Sequence, residues 1–372
     1  MIDPRKFIKI LEKNNISFFT GVPDSLLKEF CLCLEKKKNH LSSINEGAAV
    51  SIGVGYHLAK KKIPLVYLQN SGLGNIVNPV VSLVNKNIFQ IPIFFLIGWR
   101  GETGQKNIKS KNKDEPQHIF QGKITKELLK IIGIKYKILD SKSNYKNQIR
   151  DLKKYASQNS CPVALLVRKN TFKKSKNLIF KKRNGLLKRE EIINIILRSV
   201  SKNTPVISTT GYLSRELMKL SSKLKKTNNF YSVGGMGHAI SIAAGLAFCK
   251  KKRKIICLDG DGAALMHLGA QVSASINDNL IHVLINNGVH DSVGGQRIAG
   301  SGIKFKNLAK ELGYKNSFFC KSEKNIKKRI KSAFKQKGSC FLEILSSAGA
   351  KKGLIRPDKP MIYYKKQFIK KL

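Results

Sequence analysis

Lys254-Ile255-Ile256-Cys257-Leu258-Asp259-Gly260-Asp261-Gly262 reads as a short apolar strand breaking into a glycine-rich turn. Its apolar residues are continuous, as in a strand buried on both faces. From about Ala263 to Ile276 the apolar residues recur at helical spacing, and Ile281–Ile285 is a second apolar strand, followed by Asn286-Asn287. Strand, helix and strand in this order predict a parallel sheet covered by helices on both faces. The fold class is α/β, doubly wound.

The pattern occurs twice. Sliding the chain by 190 positions aligns Thr20-Gly21 with Thr210-Gly211, Gly47 with Gly237, Ala49 with Ala239, and Ser51 with Ser241. It also aligns Gly55 with Gly245, Gly72 with Gly262, and Gly98 with Gly288, without a gap. Apolar strands coincide as well, Leu65–Leu68 with Ile255–Leu258 and Ile93–Phe95 with Val283–Ile285. Two similar domains follow, expected over residues 1–172 and 189–372, with the Lys/Asn-rich stretch 173–188 as linker.

The length of 372 residues suits two domains, and 42% hydrophobic with 25% charged residues excludes global disorder. There are 70 Lys+Arg against 23 Asp+Glu, a formal charge of +47. The excess is mostly Lys, in a chain also rich in Ile and Asn, the trio that A/T-rich codons favour. The Lys runs are short, such as Lys36–Lys38 and Lys250–Lys252, and no basic stripe interleaves with aromatics. Compositional drift therefore outweighs a nucleic-acid surface, which is kept as the remote alternative function. The seven Cys form no C-x-x-C pair, so reduced thiols are expected. No apolar run approaches 18 residues and MIDPRKF carries no signal region, so the expected location is cytoplasmic, away from membranes.

Where the halves differ, chemistry is expected. Ser71 in the first half stands opposite Asp261, and Ile97 opposite Asn287. The second half thus carries two oxygen ligands at the carboxyl ends of adjacent strands, the edge where open α/β sheets bind ligands. With a backbone carbonyl they form a hard-oxygen set for Mg²⁺ or another divalent cation, completed by phosphate oxygens. Gly260 and Gly262 let backbone approach a diphosphate closely. Alone, Gly-Asp-Gly is an ordinary turn; followed by Asn-Asn one helix and one strand later, it is far more specific.

This combination resembles the signature of thiamine-diphosphate-dependent enzymes. The resemblance implies that Asp261, Asn287 and the Val289 carbonyl bind the metal anchoring thiamine diphosphate. It also implies that Met236 props the cofactor into a bent shape, with Gly234 and Gly235 beside the aminopyrimidine. Glu46, in Asn45-Glu46-Gly47-Ala48-Ala49, matches the family's catalytic acid, which shares a proton with the pyrimidine ring so that the C2 carbanion can form. Taken alone, an acid at such a helix start is more often a partner of the helix dipole. The first domain would hold the pyrimidine and the second the diphosphate. Active sites would lie at the subunit interface of a homodimer or homotetramer.

The chain has no room for the third domain of most relatives, acetolactate-synthase-like carboligases among them. It resembles the compact phosphonopyruvate decarboxylase group. Phe19–Ser25, Gly98-Trp99-Arg100-Gly101-Glu102, Asp114-Glu115-Pro116-Gln117-His118 and Asn287–Gln296 carry the likeness. Two departures stand out: Asn286 where the family commonly has Asp, and a basic insertion at Lys106–Lys113. The implied reaction converts 3-phosphonopyruvate to phosphonoacetaldehyde and CO₂ in phosphonate biosynthesis, with sulfopyruvate decarboxylase as the alternative. A small anionic substrate needs cations and amide donors, and Arg100, His118, Gln121 and Gln296 are the candidates. His118 or His290 is either a proton carrier or an ordinary surface or core histidine. Ser292–Gln296 either wraps the phosphonate with backbone amides or forms a loop over the cofactor.

Overall fold

The computed structural model describes residues 1–102, 116–174, 185–350, 353–354 and 357–372. It forms two compact units, residues 1–180 and 181–372. In the first, β1 (Phe19–Gly21), β2 (His40–Ser42), β3 (Leu65–Gln69), β4 (Phe94–Gly98), β5 (Lys135–Leu139) and β6 (Val163–Val167) form a parallel sheet of order β2-β1-β3-β4-β6-β5. In the second, β7 (Val206–Ser208), β8 (Asn229–Tyr231), β9 (Ile255–Gly260), β10 (Leu280–Asn286), β13 (Asn316–Cys320) and β14 (Cys340–Leu345) repeat it as β8-β7-β9-β10-β14-β13. Among the described residues only the hairpin of β11 (Val289–His290) and β12 (Gln296–Arg297) is added, directly after β10.

Alternation along the apolar strands builds the layers. Leu65, Phe94, Leu96, Val163 and Leu165 pack into one core of the first unit. Their neighbours Val66, Phe95, Ile97, Ala164 and Leu166 pack into another on the opposite face. The second unit divides likewise, Ile256, Leu258, Ile281 and Val283 facing one core and Ile255, Cys257 and Leu280 the other. Successive side chains point to opposite faces, so a run without polar residues must be covered on both sides.

The repeat is real in topology, but its register is not free of gaps. Leu65 and Ile255 are 190 apart, yet Leu65 pairs with Phe94 and Ile255 with Leu280, which are 186 apart. On the other side, Phe19 pairs with Leu65 whereas Val206 pairs with Ile256, which again shifts the offset to 186. Compensating length changes in the connections hide these shifts from an ungapped comparison. Thr210-Gly211 therefore lies beyond the end of β7, at the start of the helix Tyr212–Lys223, and not level with Thr20-Gly21.

The helix expected from Ala263 to Ile276 is two short helices, Asp261–Met266 and Ala270–Ser275, separated at His267-Leu268-Gly269. His267 leaves helical geometry with φ −131° and ψ 57°, which ends the first. At the linker, Lys173 N donates to Ile2 O, and Ser346 and Ser347 bond to Leu187 O, so both flanks are tied to their own units. Residues 175–184 of that linker and the expected insertion Lys106–Lys113 lie outside the described residues. Among the described residues no helix is long and apolar enough to cross a membrane.

Candidate active site

In each sheet the strand order reverses between the first and third strands, β1 and β3 or β7 and β9, which is where an open α/β sheet offers a crevice. Asp261 follows β9 at this point and is buried. Its Oδ1 accepts from Gly262 N at 2.8 Å and its Oδ2 from Gly288 N at 2.6 Å, binding the end of β9 to the turn after β10. Asn287 Oδ1 accepts from Val289 N at 3.1 Å, and its Nδ2 donates to Asp291 Oδ2 at 2.7 Å. That donation to a carboxylate fixes which end of the amide is oxygen. Asp261, Asn287 and Val289 thus come together, and Gly260 begins the turn.

Gly262 is required by its surroundings, because a Cβ there would lie 2.7 Å from the His290 ring. Burial pushes His290 down to about 4, against the pull of the neighbouring Asp291 charge, so the ring is neutral at pH 7. The segment Ser292–Gln296 forms the turn of a hairpin and the start of its second strand. Gly294 and Gly295 turn it into the hairpin β11–β12, with Gly295 N donating to His290 O at 2.9 Å and Gln296 buried. Gly234, Gly235 and Met236 occupy the loop between β8 and the helix Ala239–Cys249, with Met236 partly exposed.

In the first unit Glu46 is the first residue of the helix Glu46–Lys60, whose N-cap Asn45 accepts from Ala48 N at 2.7 Å. Glu46 is buried, and Asn75 Nδ2 donates to its Oε2 at 2.7 Å. Its carboxyl group lies against Gly72, where a Cβ would stand 2.4 Å from Oε1. The backbone of Arg100 and Gly101, after β4, runs against the helix Pro116–Ile131 at His118 and Gly122, where a Cβ on Gly101 would stand 1.8 Å from His118 O. Asn70 clamps the Arg100 backbone, accepting from its N at 3.2 Å and donating to its O at 2.9 Å. His118 Nδ1 and Gln121 Oε1 are 3.3 Å apart. Asp114 and Glu115 lie outside the described residues.

Asp24 belongs to this region and the sequence reading gave it no role. It is fully buried after β1, its Oδ2 accepting from Leu26 N and Leu27 N at 3.1 and 3.3 Å. Burial raises it to about 6 although the Arg100 charge opposes the rise. Its contact with Gly98, where a Cβ would be 1.9 Å from Oδ2, crosses 74 positions of sequence. Asn75 was missed for the same reason, since only folding brings it to Glu46, whereas Asp291 stands four residues after Asn287 and was given no role. Asn286, the departure noted above, donates to buried Glu343 at 2.8 Å, a bond that an aspartate would replace with repulsion.

The donor set fits a divalent cation on a diphosphate. Asp261 offers a carboxylate, Asn287 an amide oxygen and Val289 a backbone carbonyl, all hard oxygens, and hydrogen bonds hold the two side chains in place. Two doubly wound units, one with this set at its switch point and the other with a buried acid beginning a helix, define the class: an enzyme that binds a diphosphate cofactor. The N-terminal TPP binding domain of thiamine pyrophosphate enzymes matches residues 5–128, and their C-terminal TPP binding domain matches residues 209–344. The chain belongs to the thiamine pyrophosphate enzyme family; it is a thiamine-diphosphate-dependent 2-keto acid decarboxylase. It is 28% identical to a phosphonopyruvate decarboxylase of Streptomyces hygroscopicus over 96% of this chain and 90% of that protein. Sulfopyruvate decarboxylase subunits beta and alpha of Methanocaldococcus jannaschii are each 33% identical to it. The matches cover 40% of this chain and 78% of the beta subunit, and 42% of this chain and 87% of the alpha subunit.

Proposed function

We propose that this enzyme decarboxylates 3-phosphonopyruvate. The bond between C1 and C2 breaks, CO₂ leaves, and a proton takes its place to give phosphonoacetaldehyde. Bound thiamine diphosphate supplies the electron sink for that bond. Asp261, Asn287 and Val289 hold its divalent metal, Gly260 and Gly262 admit the diphosphate, and Gly234, Gly235 and Met236 seat the aminopyrimidine. Glu46, held by Asn75, would carry at its carboxyl group the proton that it shares with the pyrimidine ring. The first unit is the pyrimidine domain and the second the diphosphate domain.

One observation carries the substrate reading: the Arg100 backbone, clamped by Asn70, runs against the helix turn that bears His118 and Gln121, as the close approaches of Gly101 to His118 O and of Gly122 to Arg100 O show. A guanidinium with imidazole and amide groups suits a compact dianion. The same reading assigns substrate binding to Gln296 as well, and protonation to His118 or His290. Likeness to phosphonopyruvate decarboxylase along nearly the whole chain supports the same choice. Assembly as a homodimer or homotetramer is supported by an exposed apolar face on the second unit, with Ile242, Phe248, Val272 and Ile276 between 40% and 75% accessible. All seven cysteines are free thiols, which fits a reducing cytoplasm.

The test is a steady-state comparison of 3-phosphonopyruvate and sulfopyruvate with thiamine diphosphate and Mg²⁺, following CO₂ release. A higher kcat/KM for phosphonopyruvate is expected. A clear preference for sulfopyruvate overturns the reading.

A further inference from the structure

The helix Arg189–Ser199 opens on a buried arginine whose partners are the buried Glu216 and the half-buried Asp291. Arg189 Nε and Nη2 donate to Glu216 Oε2 and Oε1 at 2.7 and 3.0 Å, a bidentate pair that already satisfies the guanidinium charge. Yet Arg189 Nη1 donates to a second carboxylate, Asp291 Oδ2, at 2.8 Å. That same Oδ2 accepts from Asn287 Nδ2 at 2.7 Å, while Asp291 Oδ1 accepts from Gly349 N at 2.9 Å. Side chains only 7%, 2% and 9% exposed thus form a group of one cation and two anions. Its surplus negative charge meets two amide donors, the Asn287 side chain and the Gly349 backbone. Burying an additional carboxylate is costly unless that charge has a use.

We propose that Asp291, locked by Arg189 and Glu216, is a positioning residue for the divalent cation; this rests on Asp261 and Asn287 being its ligands. Two effects follow from the geometry. The Asp291 carboxylate fixes the amide of Asn287 by its nitrogen, so that Oδ1 is the end left for a cation. Donation to an anion also draws electron density toward Oδ1 and makes it the better base. The guanidinium keeps Asp291 from swinging out to meet the cation itself. The surplus charge favours binding of M²⁺ from a distance. The relay runs Glu216, Arg189, Asp291, Asn287, and joins segments as far apart as 102 positions.

The test is Mn²⁺ binding to the full-length protein with saturating thiamine diphosphate, read from the EPR signal of free Mn²⁺, with thermal unfolding recorded alongside. Asp291→Asn keeps shape and removes charge. It is expected to weaken Mn²⁺ by about tenfold or more, the usual weight of such an outer partner. Asn287→Asp alone sets two carboxylates face to face and is expected to bind worse still. Combining N287D with D291N reverses the hydrogen bond and is expected to recover Mn²⁺ affinity relative to N287D. A purely structural role would lower the unfolding temperature of D291N without this rescue. Wild-type Mn²⁺ affinity in D291N, or no recovery in the folded double variant, overturns the proposal if Asp261→Ala has lost the ion. Wild-type affinity in both Asp261→Ala and Asn287→Ala overturns instead the ligand assignment beneath it.

Discussion

After β3 the first unit has Asn70-Ser71-Gly72, and after β9 the second has Gly260-Asp261-Gly262. Gly72 and Gly262 match in sequence and do the same work for different guests. A Cβ at Gly72 would strike Glu46, delivered by a helix; at Gly262 it would strike His290, delivered by a hairpin. The acids are exchanged accordingly. In the second unit the carboxylate stands on the turn itself, at a strand end, where Gly262 N and Gly288 N hold it. In the first the turn is neutral and the carboxyl arrives from a helix start, with one Asn75 amide donating to it. One scaffold thus presents a buried carboxylate on the turn in one copy and on a helix start in the other, and the proposed function assigns the first to metal binding and the second to proton exchange. A notch without a side chain is the element both share.

The largest test separates the two acids. Glu46→Gln is expected to lower kcat by roughly a thousandfold, the weight of a lost acid–base group, while thiamine diphosphate binding measured by calorimetry stays near wild type. Asp261→Ala is expected to do the reverse, losing cofactor binding at ordinary Mg²⁺. Near-normal turnover in Glu46→Gln would break the division of roles. A smaller effect probes the notches. Gly72→Ala is expected to displace Glu46 by about an ångström and cost about a hundredfold in kcat, with cofactor affinity little changed. Gly262→Ala, crowding His290 beside the metal ligands, is expected to appear first as a raised cofactor Kd. Equal kinetic signatures in the two alanine variants would erase the contrast.

The elements that pack were legible and those that converge were not. Phe94-Phe95-Leu96-Ile97 and Ile281–Ile285 declare buried parallel strands, since no other structure so short hides every residue. Asp261 and Asn287 were legible because a strand and its following turn are local, and the strand order sets them side by side. The four-residue shifts in β4 and β10 were not, because opposite length changes cancel along the chain. Neither was the Arg189–Glu216–Asp291 relay. Each of its residues is an ordinary charged residue in its own segment, and only three-dimensional packing shows that they share one buried site. Asp24 is the same kind of case: Val-Pro-Asp-Ser after a strand looks like a turn until Gly98 closes over it.

Asp24 also gives the units different responses to pH. Its carboxyl is raised from 3.8 to about 6 by burial, so between these values the folded unit keeps a proton that the unfolded chain has released. The folded state then binds more protons, and stability falls as pH rises. The contribution, about 3 kcal/mol for a shift of this size, is complete below pH 4 and gone once pH passes the folded value. Asp24→Asn keeps an acceptor for Leu26 N and Leu27 N and is expected to flatten this part of the pH profile of thermal unfolding. Arg100→Met removes the charge that restrains the rise and is expected to carry the falling limb to higher pH. An unchanged limb in Arg100→Met would mean that the guanidinium does not act on Asp24, and the grouping of Arg100 with the buried acid would fail. Asp24 and Arg100 both belong to the first unit, so the second unit's unfolding profile is expected to be indifferent to both substitutions.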